Sequence, residues 1–297
     1  MVISFKSGFI AIIGSSNVGK STLINTIIGE KVSIVTPKPQ TTRNRIVGIK
    51  NLPQGQLIFM DTPGIHLTRK KFNVHLVKTA QSVFRESDII LVMVEATQSL
   101  PGDEFDYVRK GLQEIKKPVF LLINKIDLIE KKALLPLIDA FRAFPHFREI
   151  IPISALTGSG VDQLEKSLLN YLPEGPRFFP ENMYTDQSER FLAAEIVREK
   201  TFFLVRKEIP YSIAVEVNEF KERSGGVVFI RASIWVERSS QKGILIGKQG
   251  RMLKEIGKRS REEIEKFLNC KVYLDLWVTV KKNWTLKEAT IRQSLIT

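Results

Sequence analysis

Gly14-Ser15-Ser16-Asn17-Val18-Gly19-Lys20-Ser21 is the stretch that decides the fold. It has the form G-x-x-x-x-G-K-S. An apolar run, Phe9–Ile13, precedes it, and a helix-length amphipathic segment, Lys20–Ile28, follows. Strand, glycine-rich turn and helix N-terminus in that order make a cradle for phosphate. The glycines let backbone N–H groups curl around phosphate oxygens, and the helix adds the positive end of its dipole. Lys20 reaches the β- and γ-phosphates, and the Ser21 hydroxyl is a Mg²⁺ ligand. Ser15, Ser16, Asn17, Val18 and Thr22 complete the predicted nucleotide contacts of this loop.

Outward from the loop, short apolar runs alternate with helical segments. Leu57–Met60, Ile89–Val94, Val119–Ile123 and Ile150–Ile153 read as strands. Asn73–Phe84, Asp103–Ile115, Ala133–Phe144 and Val161–Tyr171 read as helices. That alternation predicts β-α-β units and an α/β fold, a doubly wound, mostly parallel sheet covered on both faces. Ile46–Lys50 is an extra strand, antiparallel to Leu57–Met60 at one edge. The Pro- and Gly-containing stretch around Leu172–Pro180 reads as a linker, so residues 1–172 form one domain, 173–187 connect, and 188–297 form a second.

Two further loops end predicted strands. Asp61-Thr62-Pro63-Gly64, followed by Ile65, places a carboxylate where a phosphate-binding protein holds Mg²⁺, with the Gly64 N–H close to a γ-phosphate. Asn124-Lys125-Ile126-Asp127 closes the Val119–Ile123 run. Guanine presents N1–H and N2–H₂ side by side, and the Asp127 carboxylate accepts both. Adenine lacks that pair, so the site rejects it. The Lys125 stem covers the base plane. Ser154-Ala155-Leu156 ends the next strand and offers a backbone N–H to guanine O6.

With these motifs in this order, residues 1–170 resemble the TRAFAC-class small GTPase domain. Gln40-Thr41-Thr42-Arg43-Asn44 lies where that family's first switch lies. The resemblance implies a threonine ligand to Mg²⁺ in the triphosphate state. Thr42 is preferred, and spacing leaves Thr41 open. Lys20, Thr42, Asp61 and Gly64 are the implied catalytic set, with Ser21, Thr42 and Asp61 holding the metal. Ras-like proteins place a water-orienting glutamine after D-x-x-G, and here that position is Ile65. Asn17 resembles the asparagine that ligates K⁺ in potassium-activated relatives, so a monovalent cation is expected to assist.

The second half has a different rhythm. A helix over Ser188–Phe203 precedes strands over Tyr211–Phe220 and Val227–Glu237. A helical turn at Gly243–Ile246, a helix over Arg251–Leu268 and a strand over Val272–Val280 follow. Gly247-Lys248-Gln249-Gly250 is a G-x-x-G loop carrying a cation, with Arg251 opening the next helix. That arrangement is similar to a type II KH module, a smaller α+β domain whose loop clamps about four nucleotides of single-stranded backbone. Lys248 and Arg251 supply charge, and Ile244, Ile246 and Ile256 are the expected apolar groove for bases. Phe191, Phe202, Phe203, Phe267 and Trp277 are expected in the core. Trp284–Thr297 reads as a short helix or tail.

Composition bounds the rest. Of 297 residues, 43% are hydrophobic and 26% charged, which excludes disordered and low-complexity classes. One cysteine, Cys270, excludes an internal disulfide and points to a reducing cytoplasm. Apolar runs are too short to span a bilayer, and no signal peptide is expected. The net charge is +13, and the window Arg238–Lys282 holds 12 Lys+Arg against 5 Asp+Glu. Charge concentrated on the G-x-x-G segment favours a nucleic-acid partner.

A GTPase domain followed directly by a type II KH domain resembles the Era-type GTPases of bacteria, over essentially the whole chain. The resemblance implies a monomer that binds GTP and GDP and hydrolyses GTP. It also implies binding to the 16S rRNA 3′ region and the 30S subunit in ribosome assembly, with peripheral association at the cytoplasmic membrane face. The competing readings are an RNA-binding module whose GTPase domain is a scaffold, and a membrane-surface GTPase whose basic patch reads anionic lipid.

Overall fold

A computed structural model describes residues 4–38, 41, 46–61, 86–97, 115–144, 146–205, 209–282 and 284. The expected helices at Asn73–Phe84 and Asp103–Ile115 lie outside the described residues, apart from Ile115, as does the expected tail, apart from Trp284, which is buried. The chain separates into two units, residues 1–33 with 42–186, and residues 34–41 with 187–297.

In the first unit the described elements are β1 (Lys6–Gly14), α1 (Lys20–Ile28), β2 (Ile46–Leu52), β3 (Gly55–Asp61), β4 (Ile89–Glu95), β5 (Val119–Asn124), α2 (Lys131–Arg142), β6 (Glu149–Pro152) and α3 (Val161–Tyr171). The sheet runs β2-β3-β1-β4-β5-β6. β1 is parallel to β3 and β4, as are β4 to β5 and β5 to β6, whereas β2 is the antiparallel edge. The parallel strands are almost continuously apolar because helices cover both faces. Ile10, Ile12, Phe59, Leu91 and Phe120 pack under α1 and α3, and Ala11, Ile13, Val92 and Leu121 pack under α2. The strand order reverses about β1, so the crevice for a ligand opens at the carboxyl ends of the strands. The Gly14–Ser21, Asp61–Gly64, Asn124–Asp127 and Ser154–Leu156 motifs each follow one of those ends in the chain.

The expected linker is built onto this unit. The Gln56 side chain accepts from the Phe178 and Phe179 N–H groups and donates to the Phe179 carbonyl, and Phe178 lies against Phe9 with ring centroids 5.2 Å apart.

The second unit comprises α4 (Glu189–Leu204), β7 (Ala214–Arg223), β8 (Val227–Val236), α5 (Ser239–Ile246), α6 (Arg251–Leu268) and β9 (Lys271–Val280). Ser188 caps α4 by accepting from the Phe191 N–H at 3.2 Å. β7 and β8 are antiparallel, and β8 and β9 are parallel, joined through α5 and α6. Val215, Ile230, Ile234 and Val278 face the helices and meet Val197, Leu245, Ile256 and Ile264 there.

Residues 34–41 are counted with this unit for a physical reason invisible in the sequence. The buried Glu199 carboxylate accepts the Val35 N–H at 2.9 Å, and the Arg198 guanidinium donates to the Thr41 carbonyl. The Lys38 ammonium donates to the Phe202 and Val205 carbonyls at the end of α4, where the helix dipole favours a cation.

Two expectations about the core are corrected. Phe203 is 51% exposed and Trp277 59% exposed, while Phe191 and Phe202 are buried. Helical and strand spacing placed these side chains on the right period, but neither ring points into the face that the sheet and helices share.

Candidate functional site

The glycine-rich loop leaves β1 and closes onto α1 through backbone that only small or special residues adopt. Gly19 has φ 106°, and a Cβ there would collide with the Asn124 carboxamide. Asn17, at φ 62°, is one of four described non-glycine residues with positive φ. The Lys20 ammonium is buried and lies across the loop, donating to the Gly14 carbonyl at 3.0 Å and the Ser15 carbonyl at 2.7 Å. Burial pulls its pKa down to about 8, against the opposing pull of Asp61.

Asp61 ends β3 and is fully buried. Its Oδ2 accepts from the Ser21 hydroxyl at 2.8 Å and from the Ser33 hydroxyl at 3.1 Å. The structure therefore brings together the expected metal-ligand pair Ser21 and Asp61. Ser33 is an addition that no motif signalled. A carboxylate and hydroxyls are hard oxygen donors, the set that suits Mg²⁺. Thr42, Thr62, Pro63, Gly64 and Ile65 lie outside the described residues. Thr41 is buried and shares a 2.6 Å hydroxyl–hydroxyl hydrogen bond with Thr36.

Asn124, at the end of β5, holds two loops at once. Its Nδ2 donates to the Val18 carbonyl at 2.7 Å, and its Oδ1 accepts the Ala155 N–H at 2.8 Å. Both ends of the amide are thus spent on backbone, and Asn124 acts by fixing the phosphate loop and the Ser154–Leu156 loop. Lys125 takes the left-handed conformation, φ 65°, and its ammonium donates to Glu95 at 2.6 Å. Burial pushes the Glu95 carboxyl up, but hydrogen bonds from Lys125 and Thr97 outweigh it and hold it below the usual range. Asp127 sits in a 3₁₀ turn, Ile126–Leu128, and is exposed. In the Ser154–Leu156 loop, the Ser154 N–H donates to Ser159 and the Ala155 N–H to Asn124. The Leu156 N–H is the one in that trio with no hydrogen bond among the described residues.

In the second unit, Gly247-Lys248-Gln249-Gly250 turns between α5 and α6 through three positive φ values, at Gly247, Gln249 and Gly250. Lys248, Gln249 and Arg251 are exposed. Arg251, Lys254, Lys258 and Arg261 recur at helical spacing on the exposed face of α6. Ile244 is 51% exposed and Ile246 partly exposed, so both remain candidates for an apolar groove. Ile256 does not. It is fully buried under the sheet, because its position on α6 points toward β8 and β9.

Comparison with known proteins decides the family. The chain is 54% identical to the GTPase Era of Syntrophus aciditrophicus over 98% of this chain and 95% of that one. This chain belongs to the Era family of GTPases. It is also 54% identical to the Era of Geobacter metallireducens, over 97% of each chain. A family model described as a 50S ribosome-binding GTPase matches residues 9–125, and one described as a KH domain matches residues 208–285. Two solved Era structures match with a TM-score of 0.91 at 46% identity, covering 97% of this chain and 98% of theirs. One is a single-substitution variant of Aquifex aeolicus Era bound to GDP·AlF₄⁻, and the other is an Era in complex with MgGDPNP and nucleotides 1506–1542 of 16S ribosomal RNA. The Era fold, an α/β GTPase domain followed by a KH domain, is therefore the fold of this chain, and the chain is a GTPase.

Proposed function

We propose that this chain is a GTP-gated RNA clamp: it binds and hydrolyses GTP, and its nucleotide state sets its grip on the 3′ region of 16S ribosomal RNA during 30S subunit assembly. Residues 1–172 form the nucleotide domain and 188–297 the RNA domain. The observation that carries the nucleotide half of the reading is the double tether of Asn124, which fixes the phosphate loop and the Ser154–Leu156 loop to one strand end. Phosphate and guanine are thereby held at a set separation.

The residues divide the work. Gly14–Thr22 offers N–H groups and the Lys20 ammonium to the phosphates. Asp127 accepts from guanine N1–H and N2–H₂, and the Leu156 N–H donates to O6. Ser21 and Asp61, with Thr42, hold Mg²⁺. Mg²⁺ held there would supply neutralising charge to the β- and γ-phosphates. Gly64 and Thr42 sense the γ-phosphate and order their loops around it. Ile65 carries no group to orient water, so hydrolysis by the chain alone is slow. Asn17 would hold a K⁺ ion, which would supply the positive charge that an arginine finger otherwise gives. Equal GTP turnover in Na⁺ and K⁺ would remove that part of the reading.

Lys248, Gln249 and Arg251 grip RNA phosphates, and Ile244 and Ile246 flank the bases. Among the described residues no helix is long and apolar enough to cross a membrane. We place the chain as a monomer in the cytoplasm, with peripheral contact at the membrane face.

The test is RNA affinity of the full chain loaded with GDP or a non-hydrolysable GTP analogue, at fixed salt because phosphate binding is salt-dependent. Tighter binding with the analogue, lost in Lys248→Asp/Gln249→Asp, supports the clamp. Equal affinities overturn it.

A further inference from the structure

The second unit has two faces, and the G-x-x-G loop accounts for only one. All its described helices pack on the side of the sheet that carries Ile230, Ile234 and Val278. The opposite side is built by the alternate residues of each strand. Strand register sets Phe229 beside Tyr273, Arg231 beside Asp275, and Ser233 beside Trp277. Tyr273 and Trp277 are each 59% exposed, the two most exposed aromatic rings described in the chain. A large ring held in water on a β-strand forfeits the burial that would ordinarily stabilise it.

The Tyr273 ring is held in place. Tyr273 stacks on Phe229 with centroids 5.7 Å apart and planes 16° from parallel. The guanidinium of Arg223 lies 4.0 Å over the other part of that stack, on the Phe229 ring. The Asp275 carboxylate, on the same strand, pairs with Arg231 at 2.9 Å. Burial pushes the Asp275 carboxyl up, but Arg231 and the side chain of Trp277 outweigh it and hold it below the usual range. Trp277 stands on the same face, its side chain largely in solvent. Beside it, Ser233 donates to Asn218 at 2.8 Å, a polar pair within reach of a base edge.

We propose that this sheet face, which none of the described α-helices covers, is a second single-stranded RNA surface, with Trp277 and Tyr273 as stacking platforms for unpaired bases. Charge favours RNA over an apolar protein segment. Arg231 is paired with Asp275 and Glu219, and Lys281 with Glu216. Among the described residues, Arg223 and Lys271 have no carboxylate within ion-pair distance, and they flank the aromatic stack at one end. Fixed aromatic rings beside unneutralised cations are the equipment by which single-stranded nucleic acid is held without reading sequence. The surface would extend the path of a strand gripped at Gly247–Gly250, so this inference rests on the RNA-binding reading above.

The experiment titrates the full chain, loaded with the GTP analogue, with an RNA covering the 16S 3′ end. Trp277→Ala and Tyr273→Ala should each weaken binding about tenfold. Trp277→Phe should stay within about threefold of the parent, because an aromatic face remains. The dependence of affinity on salt should be unchanged in Trp277→Ala, since stacking releases no counterions, whereas Lys248→Asp/Gln249→Asp should lower the slope. Ultraviolet crosslinking of the unsubstituted chain gives a readout independent of any variant's folding, and RNA should attach within Lys271–Val280. If Trp277→Ala and Tyr273→Ala bind as the parent does while the loop variant fails, this proposal is overturned and the KH reading stands. If none of the three loses affinity, both fall. Absence of crosslinks in Lys271–Val280, with crosslinks elsewhere in the chain, also overturns it.

Discussion

The Ser21 hydroxyl donates to Asp61 Oδ2 across 2.8 Å, joining the first turn of α1 to the end of β3. Forty residues separate the two in sequence, and adjacent parallel strands bring them together. Replacing Asp61 with Asn keeps the shape and removes the charge that a divalent cation needs. Asp61→Asn should fold, and the gain in GTP affinity that Mg²⁺ confers over EDTA should fall by about 10–100-fold, the usual scale for weakened metal sites. Titration of a fluorescent GTP analogue with and without Mg²⁺ measures it.

Lys20 carries a pH signature. Its pKa is about 8 in the folded chain, depressed by burial from the ordinary 10.5. Between those values the unfolded chain binds more protons, so stability rises with pH across that window. The folded chain therefore carries the strain of a buried ammonium at neutral pH, worth about 3 kcal/mol over the shift. Lys20→Met should be more stable than the parent at pH 7 in the absence of nucleotide, and the advantage should vanish by about pH 10, near the unfolded pKa. Thermal melts of both chains over that range decide it, and Lys20→Met should not bind GTP.

Asn124→Ala removes a donor and an acceptor that satisfy buried backbone on two loops. Leaving the Val18 carbonyl and Ala155 N–H without partners should cost about 3 kcal/mol. Chemical denaturation gives the stability. GDP affinity should fall more than the stability loss alone explains, because the phosphate and base loops lose their common anchor.

Asp127 is exposed at the end of β5, so its substitution leaves the core intact. Asp127→Asn exchanges one acceptor for a donor. Guanine affinity should drop by about 10⁴-fold. Xanthine nucleotides, which carry a carbonyl at the 2-position, should gain affinity by a similar factor. Competition between GDP and XDP reads both. A guanine preference retained in Asp127→Asn would move base recognition to another residue.

Gly247 adopts φ 71° and ψ 175°, a region that side chains exclude, and a Cβ there would stand 2.8 Å from Met252 Cβ. Gly247→Ala should cost about 1–3 kcal/mol in the second unit. It should also weaken RNA binding while leaving GDP affinity unchanged, which separates the two domains' functions in one variant.

Sequence by itself determined the elements whose residues carry a local signal. The phosphate loop, α1 and α6 are readable because glycines at fixed offsets and a helical apolar period specify them from within. The expectation for Asp127 came from the chemistry of guanine and its spacing to the loops before it. Tertiary structure alone decided what depends on pairing across the chain. Asn124 proved to be a brace between loops, Ser33 joined the Asp61 cluster, and residues 34–41 settled on α4 through Arg198, Glu199 and Lys38. It also decided which side of a correctly placed strand or helix is packed against a partner, leaving Trp277 in water and Ile256 in the core. Period-2 alternation tells that a strand has two faces, but only the packed partners say which of them is buried.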